Sequence, residues 1–240
     1  MGWFGALTGL ESDRPEVVRA GLRLEGEVLC CPNGRRLVAG RLWTPALGEL
    51  PLPPAGPDRI RVREVVADVR RLHADPDNAG AVFQVASQFN LLEMIGPEVT
   101  PEQGIARYAT DLTQGPACAM ACAAGTIFRN YLVPLAGGVG QDAGRQLDML
   151  ADLGRAMGNG DSSLWEMRNG YLLPRPGGLP RVAERIATDP DTLARLARVG
   201  VQRGTEVTLP GAGHLVHQVY ASALPIAYAG EPLAEWEPFA

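Results

Sequence analysis

Five prolines crowd one short stretch of this chain: Pro45, Pro51, Pro53, Pro54 and Pro57. Proline fixes φ and removes a backbone donor, so neither a helix nor an interior strand can run through such a segment. The chain therefore reads as two pieces. Residues 1–58 form an N-terminal unit that ends in this connection and packs on the main domain, residues 59–240. In the first piece, apolar runs at 22–30 and 37–44 flank Pro32-Asn33-Gly34. Asn-Gly between apolar runs signals a turn, so an N-terminal β-hairpin is expected there.

The main domain alternates helix-like and strand-like stretches. Apolar residues at 62, 65, 66, 69 and 72 give a helical stripe ending near His73, where a cation would suit the helix dipole. Asp75-Pro76-Asp77-Asn78 turns the chain into a strand expected as buried over 81–87. Pro101 opens one helix and Pro116 the next, at a position where a missing N–H is harmless; the second runs to about Tyr131. Gly137–Gly140 reads as a flexible loop and 143–157 as a helix. Short helices are expected near 181–187 and 190–198, then strands at 205–209 and 214–229, the last broken by Pro225. Strands at both ends enclosing helices predict a single α/β or α+β domain. Its mixed sheet is flanked by helices, with a parallel component.

Composition narrows the chemistry. The 240 residues carry 22 basic against 27 acidic side chains, a formal charge of −5, and 46% are apolar. This acidic balance lacks the basic face of a general nucleic-acid binder. No apolar run approaches a membrane span, and Met1-Gly2-Trp3-Phe4 lacks a charged leader, so a soluble, cytoplasmic protein is expected. Every basic residue is arginine. Without lysine, Schiff-base chemistry, a Walker-type phosphate loop and a lysine base are excluded. Cys30, Cys31, Cys118 and Cys122 form two close pairs, with no C-x-x-C, and the only His pair is His214 and His217. That argues against a disulfide scaffold and a zinc site, so no metal or cofactor is expected.

Two stretches can carry chemistry. Residues 83–93 place Gln84, Ser87, Gln88 and Asn90 at the carboxyl end of a strand, where open α/β sheets bind ligands. Neutral amides and hydroxyls there suit sugar hydroxyls, or simply satisfy a polar loop. In Asp111-Leu112-Thr113-Gln114-Gly115-Pro116-Ala117-Cys118, a helix starting at Pro116 would direct free N–H groups of residues 117–119 outward. Such an end either cradles phosphate or lowers the pKa of Cys118. Arg129 and Asn130 lie farther along the same helix. Gln218, Tyr220 and Ser222 share one face of a late strand, lining a cleft or facing water.

The segments Phe83–Asn90, Asp111–Ala119, Thr126–Tyr131 and Gln218–Tyr228 together resemble a macrodomain-like family of ADP-ribose-binding and ADP-ribosyl-hydrolysing proteins. The resemblance spans roughly residues 30–240. It implies a macrodomain-like fold and an asparagine, here Asn90, that holds the distal ribose. No glycine triplet comes after Asn90, where Leu91, Leu92 and Glu93 stand. The expected Gly-x-x-Gly pyrophosphate loop is absent unless Gly137–Gly140 takes its place. Chains of that family continue past a segment like Trp236-Glu237-Pro238-Phe239. A chain end at Ala240 thus raises the expectation of a site completed by a partner chain or a second copy.

Three functions are compatible with these residues. In the first, the protein binds ADP-ribose or an ADP-ribosylated target and hydrolyses an ADP-ribosyl bond. Asn90 and Gln84 hold the distal ribose and the helix end at 115–118 takes the pyrophosphate, with Ser87, Gln88, Thr113, Gln114, Gly115, Arg129 and Asn130 as further substrate-binding residues. Asp111 or Glu93, with Asp111 preferred, activates water or stabilises positive charge at the sugar. In the second, Cys118 attacks, His214 or His217 acts as base and Gln114 stabilises an oxyanion. The third is a non-catalytic binding subunit.

Overall fold

The computed structural model describes residues 2–51, 61–222, 230 and 232–236. Helices α1 (Trp3–Thr8) and α2 (Pro15–Gly21) lead into strands β1 (Arg23–Glu25), β2 (Val28–Cys30), β3 (Arg36–Val38) and β4 (Arg41–Trp43). Helix α3 (Val69–Ala74) precedes β5 (Val82–Ser87). After two short 3-10 turns come α4 (Gln114–Ala121), α5 (Ala123–Ile127) and a π-turn over Phe128–Leu132. A small hairpin, β6 (Pro134–Leu135) and β7 (Gly138–Val139), leads to α6 (Ala151–Ala156). A second hairpin, β8 (Trp165–Arg168) and β9 (Tyr171–Pro174), precedes α7 (Gly178–Thr188) and α8 (Asp191–Leu196). The long strands β10 (Gly200–Glu206) and β11 (Leu215–Ser222) and the short helix α9 (Leu233–Trp236) complete the described elements.

The result is a mixed α/β fold. Its main sheet has the order β4-β10-β11-β5. The first two pairings are antiparallel, and β11 with β5 is parallel, Tyr220 opposite Val85 and Ser222 opposite Ser87. The parallel pair brings two carboxyl ends to the same side, which fixes where a site can form.

Between residues 22 and 44 the chain builds more than one two-stranded hairpin. β1, β2 and β3 make a separate antiparallel sheet, with Gly26 (φ 63°) between β1 and β2 and Pro32-Asn33-Gly34 between β2 and β3. β4 then leaves for the main sheet at Gly40 (φ 74°). A Cβ there would lie 2.3 Å from the Arg203 carbonyl oxygen, so only glycine makes this corner. The N-terminal elements share a core with the middle of the chain: Phe4, Leu7, Val18, Leu29 and Leu37 pack with Ile105, Tyr108, Ile127 and Tyr131.

Several expected helices shrink. Of the stripe through residue 62, only Val69–Ala74 is helical, started by Asp68, whose side chain accepts from the Arg70 N–H. Val62 and Val66 are exposed, so their apolar spacing meets no core, and tertiary burial rather than spacing sustains short helices. Pro101 opens only a 3-10 turn, ended by Gly104 at φ 80°. The helix expected over 143–157 is confined to α6. Residues before it are held in a loop by the Asp142–Arg145 bridge and by Gln141, whose side chain accepts from Leu147 N–H at 3.0 Å. The strand expected at 205–209 begins instead at Gly200, and most of the expected Pro-rich connection (52–58) and the end of the last strand (223–229) lie outside the described residues.

α4 starts two residues earlier than Pro116 and stops at Cys122, whose φ and ψ (−117°, 55°) are not helical. Gly115, Ala117, Cys118, Ala119 and Ala121 are buried, and small side chains let the helix lie close against β5. β5 is an edge strand of the described sheet, with Val82, Gln84 and Ala86 exposed, rather than a buried strand. Gln114 covers that edge as a substitute strand. Its side-chain oxygen accepts from Ala86 N–H at 2.7 Å and its amide donates to the Gln84 carbonyl at 2.6 Å.

Beside it, a Cβ on Gly115 would sit 2.2 Å from the Ala86 carbonyl. Gly115→Ala is therefore expected to push α4 off β5 and cost about 1–3 kcal/mol, the usual range for overpacking. Urea unfolding checks this; an unchanged midpoint would show that α4 has room there.

Candidate functional site

A cleft of about 280 Å³ opens beyond the carboxyl end of β5. It is lined by Ser87 and Gln88 as the strand ends and by Glu93 from the loop after it. Asp111 and Thr113 ahead of α4, Gln114 and Gly115 in its first turn, and Tyr171 from β9 complete the polar lining. Seven of the residues expected from sequence thus meet in one place.

The loop after β5 positions Glu93. Leu92 O accepts from Gln88 N–H at 3.0 Å and Gln88 O from Leu91 N–H at 2.9 Å, making a tight turn. Leu91 sits at φ 62°, a left-handed conformation that costs a branched residue on the order of 1–3 kcal/mol. Arg129 holds it there, its Nε donating to Leu91 O at 2.8 Å. The same guanidinium, itself fully buried, donates through Nη2 to Glu93 Oε1 at 2.7 Å. Glu93 Oε2 is buried and has no hydrogen-bond partner. Burial disfavours the charged carboxylate more than Arg129 favours it, and the Glu93 pKa is pushed up to about 7.

Behind the ion pair a buried chain of polar groups runs along one face of β11. Arg129 also donates to the Tyr220 hydroxyl and lies 4.0 Å from the centre of that ring. Tyr220 donates to Gln218 Oε1 at 3.0 Å, and the Gln218 amide donates to the Cys118 carbonyl at 3.1 Å. That amide also faces His73 Nε2 at 3.2 Å, while His73 Nδ1 is 2.8 Å from the Val69 carbonyl. A carbonyl can only accept, so Nδ1 carries the proton and Nε2 accepts from Gln218. Gln218 and Tyr220 are therefore internal, neither lining the cleft nor facing water. His73 is not a helix-end cation: it is buried, stacked on Phe83 at 3.7 Å, and burial lowers its pKa.

At the mouth, Asp111 Oδ1 accepts from Thr113 N–H at 2.8 Å and from the Thr113 hydroxyl at 2.5 Å. The expected phosphate cradle is not formed. Because α4 begins at Gln114, Ala117 N–H already donates to Thr113 O, Pro116 offers no N–H, and Asp111 places negative charge at this helix end. Gln88 donates to the Tyr171 hydroxyl at 3.3 Å, and its Oε1 is buried without a partner. Tyr171 donates to the Met94 carbonyl at 2.7 Å, and Ser87 donates to Gln88 O at 3.2 Å.

Other expected site residues lie elsewhere. Asn90 is fully buried: its amide donates to Gln146 Oε1 at 2.8 Å and its oxygen accepts from Leu92 N–H at 3.1 Å, so it shapes the turn and is not offered to a sugar. Asn130 is buried and donates to the Pro101 carbonyl at 3.2 Å. Arg129 supports Glu93 from inside and does not line the cleft. Gln84 lies on the outer edge of β5, in a neighbouring hollow of about 510 Å³ shared with Ala86, Gln114, Ala221 and Ser222. Gly137–Gly140 belongs to the β6–β7 hairpin, packed against Arg145, and is no part of the cleft.

The cysteine arrangement is overturned. Cys118 is fully buried among Val85, Leu91, Met149 and Tyr220, and burial pushes its thiol up to about 12. His217 Nδ1 accepts from Gly204 N–H at 3.0 Å, and no hydrogen bond joins either His214 or His217 to Cys118. A thiol so placed is neither ionised nor reachable. In native protein at pH 8, iodoacetamide is expected to label the half-buried Cys30 and spare Cys118 and Cys122. Peptide mass spectrometry reads the pattern, and rapid labelling of Cys118 would contradict the burial argument.

Tyr171 is the polar cleft residue that the sequence reading missed; the apolar Met94 and Ile95 also line the cleft. Asn169-Gly170, at φ 48° and 79°, is a two-residue hairpin turn between Trp165–Arg168 and Tyr171–Pro174, the same signal that marks the N-terminal turn. Among the described residues, no cluster of three or more His, Cys, Asp or Glu side chains is arranged to hold a metal, and no helix is long and apolar enough to cross a membrane. Comparison with protein-family models, curated proteins and solved structures finds no match to this chain.

Proposed function

We propose that the cleft is the active site of a glycosyl-bond hydrolase acting on a ribosyl group, with ADP-ribosyl compounds as the substrate class. The observation that carries this reading is Glu93: a buried carboxyl with one oxygen held by Arg129, the other unpartnered, lining the same cleft as Asp111. A carboxyl tuned to about 7 accepts and returns protons near neutral pH, which an ordinary glutamate does poorly. Pairing a tuned carboxyl with a second one in a different environment is the pattern of glycoside hydrolysis.

The roles differ from the sequence expectation, which preferred Asp111. Glu93 Oε2 takes a proton from water as the oxygen of that water bonds to the anomeric carbon. The bond from that carbon to the leaving atom breaks, its electron pair going to the leaving group, which then receives the proton from Glu93. Asp111 faces the positive charge that develops on the sugar. Ribose hydroxyls donate to the Ser87 hydroxyl oxygen and to Gln88 Oε1, which can still accept, since both polar atoms of the Asn90 side chain are engaged within its turn.

The test is release of free ADP-ribose from mono-ADP-ribosylated peptides, monitored by liquid chromatography and mass spectrometry. Glu93→Gln is expected to lower the rate by about 10²–10⁴, the usual worth of a positioned acid–base group. Binding of ADP-ribose without turnover by the wild type would make this a non-catalytic binding subunit. Turnover that survives in Glu93→Gln would remove Glu93 from the chemistry.

A further inference from the structure

We infer that the group entering this cleft beside Glu93 is a positively charged nitrogen group bearing N–H donors, a guanidinium or an ammonium, and not a phosphate. The proposal rests on the hydrolase reading above for which end of the substrate enters, and it places the cation on the leaving group. Three observations converge on it. First, the lining contains the carboxyl groups of Glu93 and Asp111 and no arginine or histidine, in a chain without lysine. Secondly, each of the neighbouring side-chain donor groups is already engaged within the protein: Ser87 with Gln88 O, the Gln88 amide with the Tyr171 hydroxyl, the Gln114 amide with Gln84 O. Thirdly, two buried acceptors in this lining, Glu93 Oε2 and Gln88 Oε1, have no partner. Buried acceptors left unpaired are costly, and a ligand rich in N–H donors removes that cost. A phosphate brings only acceptors and negative charge, and would meet both carboxyl groups.

The pH dependence is set by the groups around Glu93. Arg129 favours its ionisation; the buried Tyr108, Tyr220 and Cys118 lie nearby, and Asp111 shares the cleft. A cation binds the carboxylate better than the neutral acid, so its affinity rises as pH passes upward through about 7.

Methylguanidinium, methylammonium, tetramethylammonium and methyl phosphate, titrated into ¹⁵N-labelled full-length protein, provide the test. The first two are expected to shift the amides of Ser87, Gln88, Thr113 and Gly115 saturably. Tetramethylammonium, which has charge but no N–H, and methyl phosphate should not. Affinity for the binding cations is expected to fall about tenfold from pH 8 to pH 6 and by at least that factor in Glu93→Gln, with Asp111→Asn as a second variant should Glu93→Gln not fold. Saturable shifts by methyl phosphate, or none by either N–H cation, would overturn the proposal. Cation binding at these amides without release of ADP-ribose from any peptide would sink the hydrolase reading and leave the cation site standing. Hydrolysis with phosphate as the bound group would do the reverse.

Discussion

Glu93→Gln removes a pH dependence of stability that the wild type carries. The wild-type carboxyl has a pKa near 4.5 when unfolded and about 7 when folded, so between those values the native state holds more protons than the unfolded state. Stability from this group is therefore complete below about pH 4.5 and is lost as pH rises through about 7. At about 1.4 kcal/mol per pH unit the loss is about 3 kcal/mol. Glutamine copies the protonated acid in shape and does not titrate. Other titrating groups are common to both proteins and cancel in the difference. The wild type's melting temperature relative to the variant is expected to fall by about 6–12 °C from pH 4.5 to pH 8, at roughly 2–4 °C per kcal/mol for a chain of this size. Calorimetry across that range measures it. A constant difference would place Glu93 in the ordinary carboxylate range and remove its acid–base role.

Arg129→Met should be the most damaging of these substitutions. It leaves the Glu93 carboxyl buried without its cation, removes the donor that holds Leu91 O, and empties the space over the Tyr220 ring. Breaking a buried pair from one side costs about 3–5 kcal/mol, which for this size lowers the melting temperature by roughly 6–20 °C. The loss should be smaller at pH 5, where Glu93 is protonated, than at pH 8. It should also be partly recovered when Glu93→Gln is added, because the two groups act on each other. Urea unfolding of the single and double variants gives the coupling. A loss below about 1 kcal/mol, equal at both pH values, would mean that the pair is not buried as described.

The site was legible in sequence as a neighbourhood more than as a set of roles. Polar residues ending a strand and the turn before α4 were both visible, and the packing of α4 on β5, with Gln114 bonded to Gln84 and Ala86, brings them together. Their division of labour was not visible. Asn90 and Glu93 lie three residues apart, and the left-handed Leu91 between them, with Gln146 holding Asn90 and Arg129 holding Glu93, gives the two side chains different surroundings. Nothing in sequence distinguishes an arginine turned inward, so Arg129 read as a ligand contact. Cys118 looked reactive because the helix seemed to begin at Pro116; a start at Gln114 moves it inward to burial. Tyr171 was readable from Asn169-Gly170. For the fold, strand order at the chain ends carried the α/β class, whereas helix lengths were overestimated wherever an apolar stripe had no core to meet, as at Val62 and Val66.

The central claim is that Glu93 is a proton-exchanging carboxyl near neutral pH, and ¹³C NMR of the protein labelled at glutamate Cδ tests it directly. With the Glu93 resonance assigned through its own backbone, its chemical shift tracked from pH 4 to pH 9 should show a midpoint near 7. It should also move to lower pH on addition of methylguanidinium. A midpoint near 4.5, unmoved by the cation, would contradict that claim.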